Sequence, residues 1–252
     1  LLGQNVNSYH GKLDDKEIDF ADLLQMIANH LKETNSSIKW VRFMSSHPKD
    51  LSEKVIDVIA KEEVLCHHIH LPVQHGSTQI LKQMNRVYTA DEYIALVEKI
   101  KKALPDVSLT TDLIMGFPGE TEDDFLETMD LCNQCGFCWI HAFPFSERKG
   151  TVAVTLKNKV PQEISKIRCN KLNEWAMNQK INYINANVGK ERFAILEVLR
   201  KPQYVYHCVT DNFLHCQVQF PKEKEELPQG TKVKISIDSP LIENVKKGGE
   251  VE

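Results

Sequence analysis

Val107-Ser108-Leu109-Thr110-Thr111-Asp112-Leu113-Ile114-Met115-Gly116-Phe117-Pro118-Gly119-Glu120-Thr121 decides the fold class of this chain. The run from Val107 to Met115 is rich in β-branched and apolar residues, which predicts a strand, and Gly116-Phe117-Pro118-Gly119 closes it. Thr121 three residues before Asp124 resembles a capping box, with Asp in place of the usual Glu or Gln, so a helix begins there. A strand, a glycine-bearing turn and a helix make one βα unit, and similar units lie on both sides of it. Upstream, Leu1-Leu2 reads as the end of a strand. Ile18, Phe20, Leu23, Leu24, Ile27 and Leu31 recur at helical spacing, and Ile38 to Met44 reads as a strand. Val55, Ile56, Val58 and Ile59 mark a helix, and His68-Ile69-His70-Leu71 a strand. A turn at Gly76 follows, then helical segments through Leu81–Met84 and Tyr93–Ile100. Downstream, Phe137 to Phe145 reads as a further strand. Five strands alternating with helices, the first cut short, predict an α/β fold, either a partial or complete barrel or a doubly wound sheet.

Both architectures gather ligands at the carboxyl ends of their strands, and polar residues cluster there: Gln4-Asn5, Ser45-Ser46-His47, Gln74-His75-Gly76-Ser77, Asp112 with Gly116, and His141 towards Ser146. A Gln amide both donates and accepts, a guanidinium such as Arg86 grips a carboxylate with two parallel bonds, and Asp112 can accept from a ribose diol. Gly116 lets backbone approach a flat ring. Such a set suits a ligand with an amino-acid end, a ribose and a base. Spacing alone leaves equally open that Gln74 and Arg86 cap loops and that Asp112 pairs structurally.

Beyond residue 152 the pattern changes. From Pro161 to about Asn185, Ile164, Ile167, Leu172, Trp175, Ala176 and Ile181 predict one long linking helix, with Pro161 suited to its first turn. From Gly189 short alternating strands are expected at Phe193–Leu196, Tyr204–Tyr206, Leu214–Val218 and Lys232–Ile237, punctuated by Pro202, Pro221, Pro228-Gln229-Gly230 and Gly248-Gly249. About 60 residues of this kind read as a small, separate β-barrel. The expected organisation is thus 1–152, a linker over 153–188, and 189–252.

With 31 basic and 35 acidic residues the formal charge is −4, so any RNA-binding reading rests on local patches rather than bulk charge. No apolar run approaches the roughly 18 residues of a membrane helix. Seven cysteines, an odd number without the spacing of a secreted framework, and no basic-plus-apolar leader point to a reducing cytoplasm. The opening residues lack an initiator Met and begin within a strand, which reads as a truncated chain.

Leu1-Leu2-Gly3-Gln4-Asn5-Val6-Asn7-Ser8-Tyr9, Ser46-His47-Pro48-Lys49-Asp50, His70-Leu71-Pro72-Val73-Gln74, Met84-Asn85-Arg86 and Thr111 to Thr121 resemble, in order, the successive motifs of the radical S-adenosylmethionine (SAM) methylthiotransferases. Among the branches, the opening motif and Ser-His-Pro-Lys-Asp look most like the tRNA-2-methylthio-N6-dimethylallyladenosine synthases. Phe143-Pro144-Phe145-Ser146 leans towards the threonylcarbamoyladenosine branch. The resemblance implies transfer of a methylthio group to C2 of a modified adenosine beside the tRNA anticodon. It implies a SAM pocket, with Gln4, Asn5, Ser46, Gln74, Arg86, Asp112, Gly116 and Phe117 as its candidates here. It also implies a small RNA-binding β-barrel, a TRAM domain, from Gly189, in which Lys190, Arg192, Arg200 and Lys201 meet phosphates. Exposed Phe213 and Phe220 are candidates for stacking on bases, with core packing the expected fate of at least one. The implied partners are the anticodon stem-loop and an electron donor. The implied cofactors are SAM and two [4Fe-4S] clusters.

The family's Cys-x-x-x-Cys-x-x-Cys loop does not occur in this sequence, so the cluster ligands are expected outside it and the chain alone is expected to be inactive. Cys132, Cys135 and Cys138 fall one residue short of that spacing and sit at a helix end, where two of them are expected as core thiols. Of His67, His68 and His70, two at most share a strand face, and no fourth zinc ligand accompanies them. His70 and His141 are expected to line a substrate pocket. A binding module for RNA or nucleotide, without catalysis, is the rival reading.

Overall fold

The structure, a computed structural model, describes residues 1–200, 205–220, 226–238 and, as backbone, 245–247. A hairpin of β1 (His10–Leu13) and β2 (Lys16–Asp19) comes first, closed by Asp14 and Asp15, which both adopt positive φ. Helix α1 (Phe20–Glu33) follows. Asp19 and Asp22 form a reciprocal capping box at its start, which satisfies backbone donors that a helix start otherwise leaves bare. Then come α2 (Glu53–Lys61), β3 (His68–His70), α3 (Thr78–Gln83), α4 (Ala90–Ala103), β4 (Ser108–Met115), α5 (Glu122–Cys135) and β5 (Trp139–Pro144). The capping box read from Thr121 and Asp124 is present at the head of α5.

Strands β3, β4 and β5 pair in parallel in that order, with His70 opposite Thr110 and Asp112 opposite His141. The strand expected over Ile38–Met44 reduces to a single bridge of Val41 to Leu65. Val41 bonds on one side to the 64–66 segment, while on the other side, among the described residues, only Leu1 bonds the backbone of Arg42 and Met44. A ladder needs successive partners on a side that supplies only one, and Leu1-Leu2 is accordingly not a regular strand either.

The two faces of this sheet differ. Ile69, Leu71, Leu109, Leu113 and Ile140 are buried in one core with Leu24, Ile59, Tyr93, Ile100, Phe125 and Leu131 from the helices. His68, His70, Thr110, Trp139 and His141 face the other way, into a cavity. Helices on one face and a polar, aromatic inner face is the arrangement of a barrel segment, so the doubly wound alternative falls away.

Helix α6 (Gln162–Asn187), preceded by Pro161, packs along β5 and leads to the second sheet. Its strands are β6 (Glu191–Arg200), β7 (Val205–Thr210), β8 (His215–Gln219), β9 (Lys232–Ser236) and β10 (Val245–Lys247), in the order β10-β8-β7-β6-β9. Ala194, Leu196, Tyr206, Val218, Val233 and Ile235 form a second core, joined by Ile184 of α6. Residues 202, 204, 221, 248 and 249, among those expected to carry turns and a strand start, lie outside the described residues.

Candidate functional site

At the carboxyl ends of the strands, three residues hold positive φ: Asn5 at 52°, Ser45 at 62° and Gln74 at 73°. None is glycine, and conformations of this sort cost of order 1 kcal/mol or more each unless the surroundings fix them. The surroundings do. Asn7 clamps the 45–47 loop, its amide nitrogen donating to the His47 carbonyl and its amide oxygen accepting from the His47 N–H, both at 2.8 Å. Gln74 is tied to β4 by its own N–H on the Asp112 carbonyl at 2.9 Å and by the Ile114 N–H on its carbonyl at 2.8 Å. Tyr88 donates to the Val73 carbonyl at 3.0 Å and sets its ring against His47.

Inside this frame Ser46 Oγ and Arg86 Nε are buried without a protein partner. Burial and the adjacent Arg86 charge hold the His47 imidazole below its ordinary pKa. Gln4 and Asn5 are exposed beside the loop. Asp112 presents its carboxylate at the same end, 3.3 Å from His70 Nε2. Unpartnered buried donors are costly, by about 1–3 kcal/mol each, and are what a bound polar ligand relieves. Ser46, Gln74, Arg86 and Asp112 therefore fit a ligand bearing a carboxylate and hydroxyls, as SAM does.

Gly116 and Phe117 take a different place from the one expected. Their N–H groups donate to Glu120, whose buried carboxylate also receives Arg168 of α6 at 2.7 Å. His75 Nε2 stands 3.4 Å away, without hydrogen-bond geometry. Burial raises the Glu120 pKa, but the neighbouring His75, the Gly116 N–H and Arg168 outweigh it and leave the carboxyl below the usual range. A Cβ on Gly116 would lie 1.8 Å from Ser165 Oγ, so the missing side chain makes room for α6 rather than for a flat ring. Phe117 is buried, its ring 5.2 Å from that of Phe145. Nothing in the sequence marked Arg168 as the partner that α6 brings to this loop.

The basic residues assigned to phosphates are largely engaged elsewhere. Arg192, with a side chain only 10% exposed, reaches Asp106 at 3.2 Å and Asp211 at 3.9 Å, and Lys190 reaches Asp106 at 3.3 Å. Burial raises the Asp106 carboxyl, and the two cations more than reverse this and hold it low. These pairs join the β-rich sheet to the βα region. Arg200 is exposed at the end of β6, and Lys201 lies outside the described residues. Phe213 is 36% exposed, and its ring stacks on His68 at 4.2 Å, with the Arg42 guanidinium 4.7 Å from its centroid. Phe220 is buried against Tyr206, the core fate expected for one of the pair.

His68 and His70 share a face, as strand alternation requires, and both ring systems meet Thr110 Oγ1, at 3.1 and 2.9 Å. With His141 they line a cavity of about 390 Å³ closed by α6 and the Phe213–Cys216 segment. Cys132 and Cys135 are core thiols of α5, and Cys138 donates to the Leu109 carbonyl. Burial pushes the Cys135 and Cys138 thiols up to about 12 and Cys132 higher still. Thiols so far from ionising do not suit an iron–sulfur cluster, and among the described residues no His, Cys, Asp and Glu set converges on a metal position.

Against this geometry the likenesses to known proteins are specific. The chain is 51% identical over 172 residues to the tRNA-2-methylthio-N(6)-dimethylallyladenosine synthase of Lachnoclostridium phytofermentans, covering 68% of this chain and 36% of that protein. It is 43% identical over 198 residues to the protein of the same name from Treponema denticola, covering 78% and 44%. The chain thus spans less than half the length of these curated relatives. Among solved structures it is similar to coproporphyrinogen III oxidase from Escherichia coli, at TM-score 0.43 and 15% identity over 65% of this chain and 37% of that one. The sequence pattern of the radical SAM superfamily matches residues 5–132, the stretch that carries Asn5, Ser46, Gln74, Arg86 and Asp112, and by that match the chain belongs to the radical SAM superfamily.

Proposed function

We propose that this chain is the SAM-holding and RNA-holding part of a tRNA methylthiotransferase, which adds a methylthio group to C2 of a modified adenosine beside the anticodon. The observation that carries the reading is the 51% identity over 172 residues to a synthase of that name. SAM, when bound, supplies an activated methyl group and an adenosyl group. Arg86 would take its carboxylate, Asp112 its ribose hydroxyls, and Gln74 and Ser46 the remaining polar atoms. The left-handed backbone at Asn5, Ser45 and Gln74 holds these groups in place before the ligand arrives.

No step through an iron–sulfur cluster is assigned to these residues, because their thiols are buried and un-ionised. The cluster ligands and the electron donor belong to other parts of the proposed enzyme, and this chain alone is inactive. Dimethylallyladenosine is the substrate favoured by the relatives' names, with threonylcarbamoyladenosine as the alternative. A cytoplasmic setting follows from tRNA as substrate, and no helix among the described residues is long and apolar enough to cross a membrane.

The test is mass spectrometry of tRNA nucleosides from a strain without its own methylthiotransferase, supplied with the gene product that carries this chain. The expected result is a methylthio adenosine that disappears with Arg86→Met. Its absence with the unaltered protein, or its persistence in the variant, would overturn the assignment.

A further inference from the structure

Two of the cations expected to meet phosphates are bound at the wrong end of the strands. Lys190 and Arg192 pair with Asp106, which precedes β4 and so stands at its starting end, whereas Ser46, Gln74, Arg86 and Asp112 gather at the other. A polyanion whose base reacts at the SAM end needs its phosphates held there as well. Over the whole chain acidic residues outnumber basic ones, 35 to 31, so such a ligand is held only where cations are locally in surplus. The loop over 146–160 has that surplus. Arg148, Lys149, Lys157 and Lys159 stand there against a single carboxylate, Glu147, which Lys159 takes at 2.5 Å. Among the described residues no carboxylate comes within ion-pair distance of Arg148, Lys149 or Lys157, and all three are exposed.

The loop is anchored beside the SAM residues. It leaves β5 at the carboxyl end, where the Phe145 N–H donates to the Met115 carbonyl at 2.7 Å. Its return arm is tied to the turn after β4 by the Gly119 N–H on the Asn158 carbonyl at 2.9 Å. The tip is a four-residue turn, Arg148-Lys149-Gly150-Thr151. Gly150 takes φ 86°, a left-handed position that glycine fills without strain, and Thr151 closes the turn on the Arg148 carbonyl with its N–H at 3.2 Å and its hydroxyl at 2.8 Å. Arg148 and Lys149 are thus carried by a closed turn rather than a loose segment. Between the arms lies a hollow of about 250 Å³, lined by Gly116 and Pro118 on one side and by Ser146, Glu147 and Lys159 on the other. The cations therefore border the same end of β4 as Asp112.

We propose that the 146–160 loop is a phosphate grip for the RNA strand beside the reacting adenosine, with Arg148 and Lys149 at its tip and Lys157 on its return arm as the contacts. The proposal rests on the reading of tRNA as substrate, and it deepens that reading by placing the hold on the strand near the reaction in the barrel segment's own loop rather than in the β-rich sheet. Contacts to phosphates position a strand without reading its sequence. Each phosphate neutralised releases counterions, so the grip weakens as salt rises. Its place at the strand ends, where the reacting base must arrive, favours RNA over an acidic protein as the partner.

The experiment follows binding of an anticodon stem-loop RNA to the chain by fluorescence anisotropy across a salt series. The double variant Arg148→Gln, Lys149→Gln is expected to bind at least about tenfold more weakly at ~50 mM salt and to lower the slope of log affinity against log salt by about 1–2. Both side chains are exposed, so folding and SAM affinity are expected to match the wild type. The double variant Lys61→Gln, Lys102→Gln removes the same charge from exposed positions at the ends of α2 and α4, and is expected to leave RNA affinity within about twofold. An equal loss in both double variants would reduce the effect to net charge and overturn the site. Wild-type affinity and slope in the loop variant would overturn it too, keeping the proposed function and leaving the loop to an acidic protein. No RNA binding by the wild-type chain would remove the RNA-holding reading itself, and this site with it.

Discussion

Replacing Arg168 by Met is expected to destabilise the protein by about 3–5 kcal/mol at neutral pH, read from urea unfolding. The Glu120 carboxylate is fully buried, and Arg168 supplies its buried cation at 2.7 Å, with Glu122 at 3.0 Å sharing the same guanidinium. Removing the cation strands a charge in a place water does not reach, which costs more than the pair itself contributes. The pH dependence follows from the direction of the Glu120 shift. A carboxyl held below its ordinary 4.5 in the folded protein contributes stability that is present above that value and is lost as pH falls through the folded pKa. In the variant the burial is unopposed by Arg168, so Glu120 is expected to take up a proton more readily, and the gap between variant and wild type narrows in acid. The double variant Arg168→Met, Glu120→Gln should recover part of the loss. A gap that is small at neutral pH, or constant down to pH ~4, would contradict this account of the loop.

Gly76→Ala is expected to cost about 3 kcal/mol or more, at the upper end of overpacking effects. The added Cβ would stand 2.2 Å from Thr128 Cα, 2.8 Å from Thr128 N and 2.9 Å from the Glu127 carbonyl. All three are backbone atoms of α5, so no rotamer change relieves them and the helix must move. Two effects compete here. Gly76 is not in the left-handed region, so chain entropy alone would make Ala stabilising by about 0.4–1 kcal/mol. The collision is the larger and sets the sign. Because the clash is with backbone, Thr128→Ala should not rescue the variant, and it would also remove the hydroxyl that accepts from the Gly76 N–H at 3.0 Å. Thermal unfolding at or above the wild-type temperature would show that α5 does not approach this closely.

The unit around β4 was the most legible part of the sequence, because strand composition, turn glycines and the Thr121 cap all point to one answer. The same consistency made α6 and the later strands readable. Where a single signal stood alone, reading failed. Ile38 to Met44 has strand composition, but a ladder depends on partners far away in the chain, and only Val41 finds one on the β3 side. The β1–β2 hairpin turns on Asp14 and Asp15 in left-handed conformations, which aspartate adopts too rarely for its presence to mark a turn of that type.

At the candidate site, the grouping of polar residues was legible and their engagement was not. Gln74, Arg86, Ser46 and Asp112 do sit at one end of the sheet, but Arg192 and Lys190 are bound to Asp106, some 85 residues earlier in the chain, a partner that no local pattern reveals. Phe213 was read as an aromatic open to RNA, and in the structure its half-buried ring also stacks on His68 and meets the Arg42 guanidinium. The contact of His68 and His70 with one hydroxyl was visible only as two histidines on a common face. That hydroxyl belongs to Thr110, a residue with nothing in the sequence to distinguish it from Thr111.

The central claim is that the strand-end residues form a SAM site, and calorimetric titration of the chain with SAM tests it most directly. A single site is predicted, weakened at least about tenfold by Arg86→Met, which removes a charge-assisted carboxylate contact worth about 1.5–3 kcal/mol. Binding that is absent from the wild-type chain, or that survives Arg86→Met and Asp112→Asn undiminished, would contradict it.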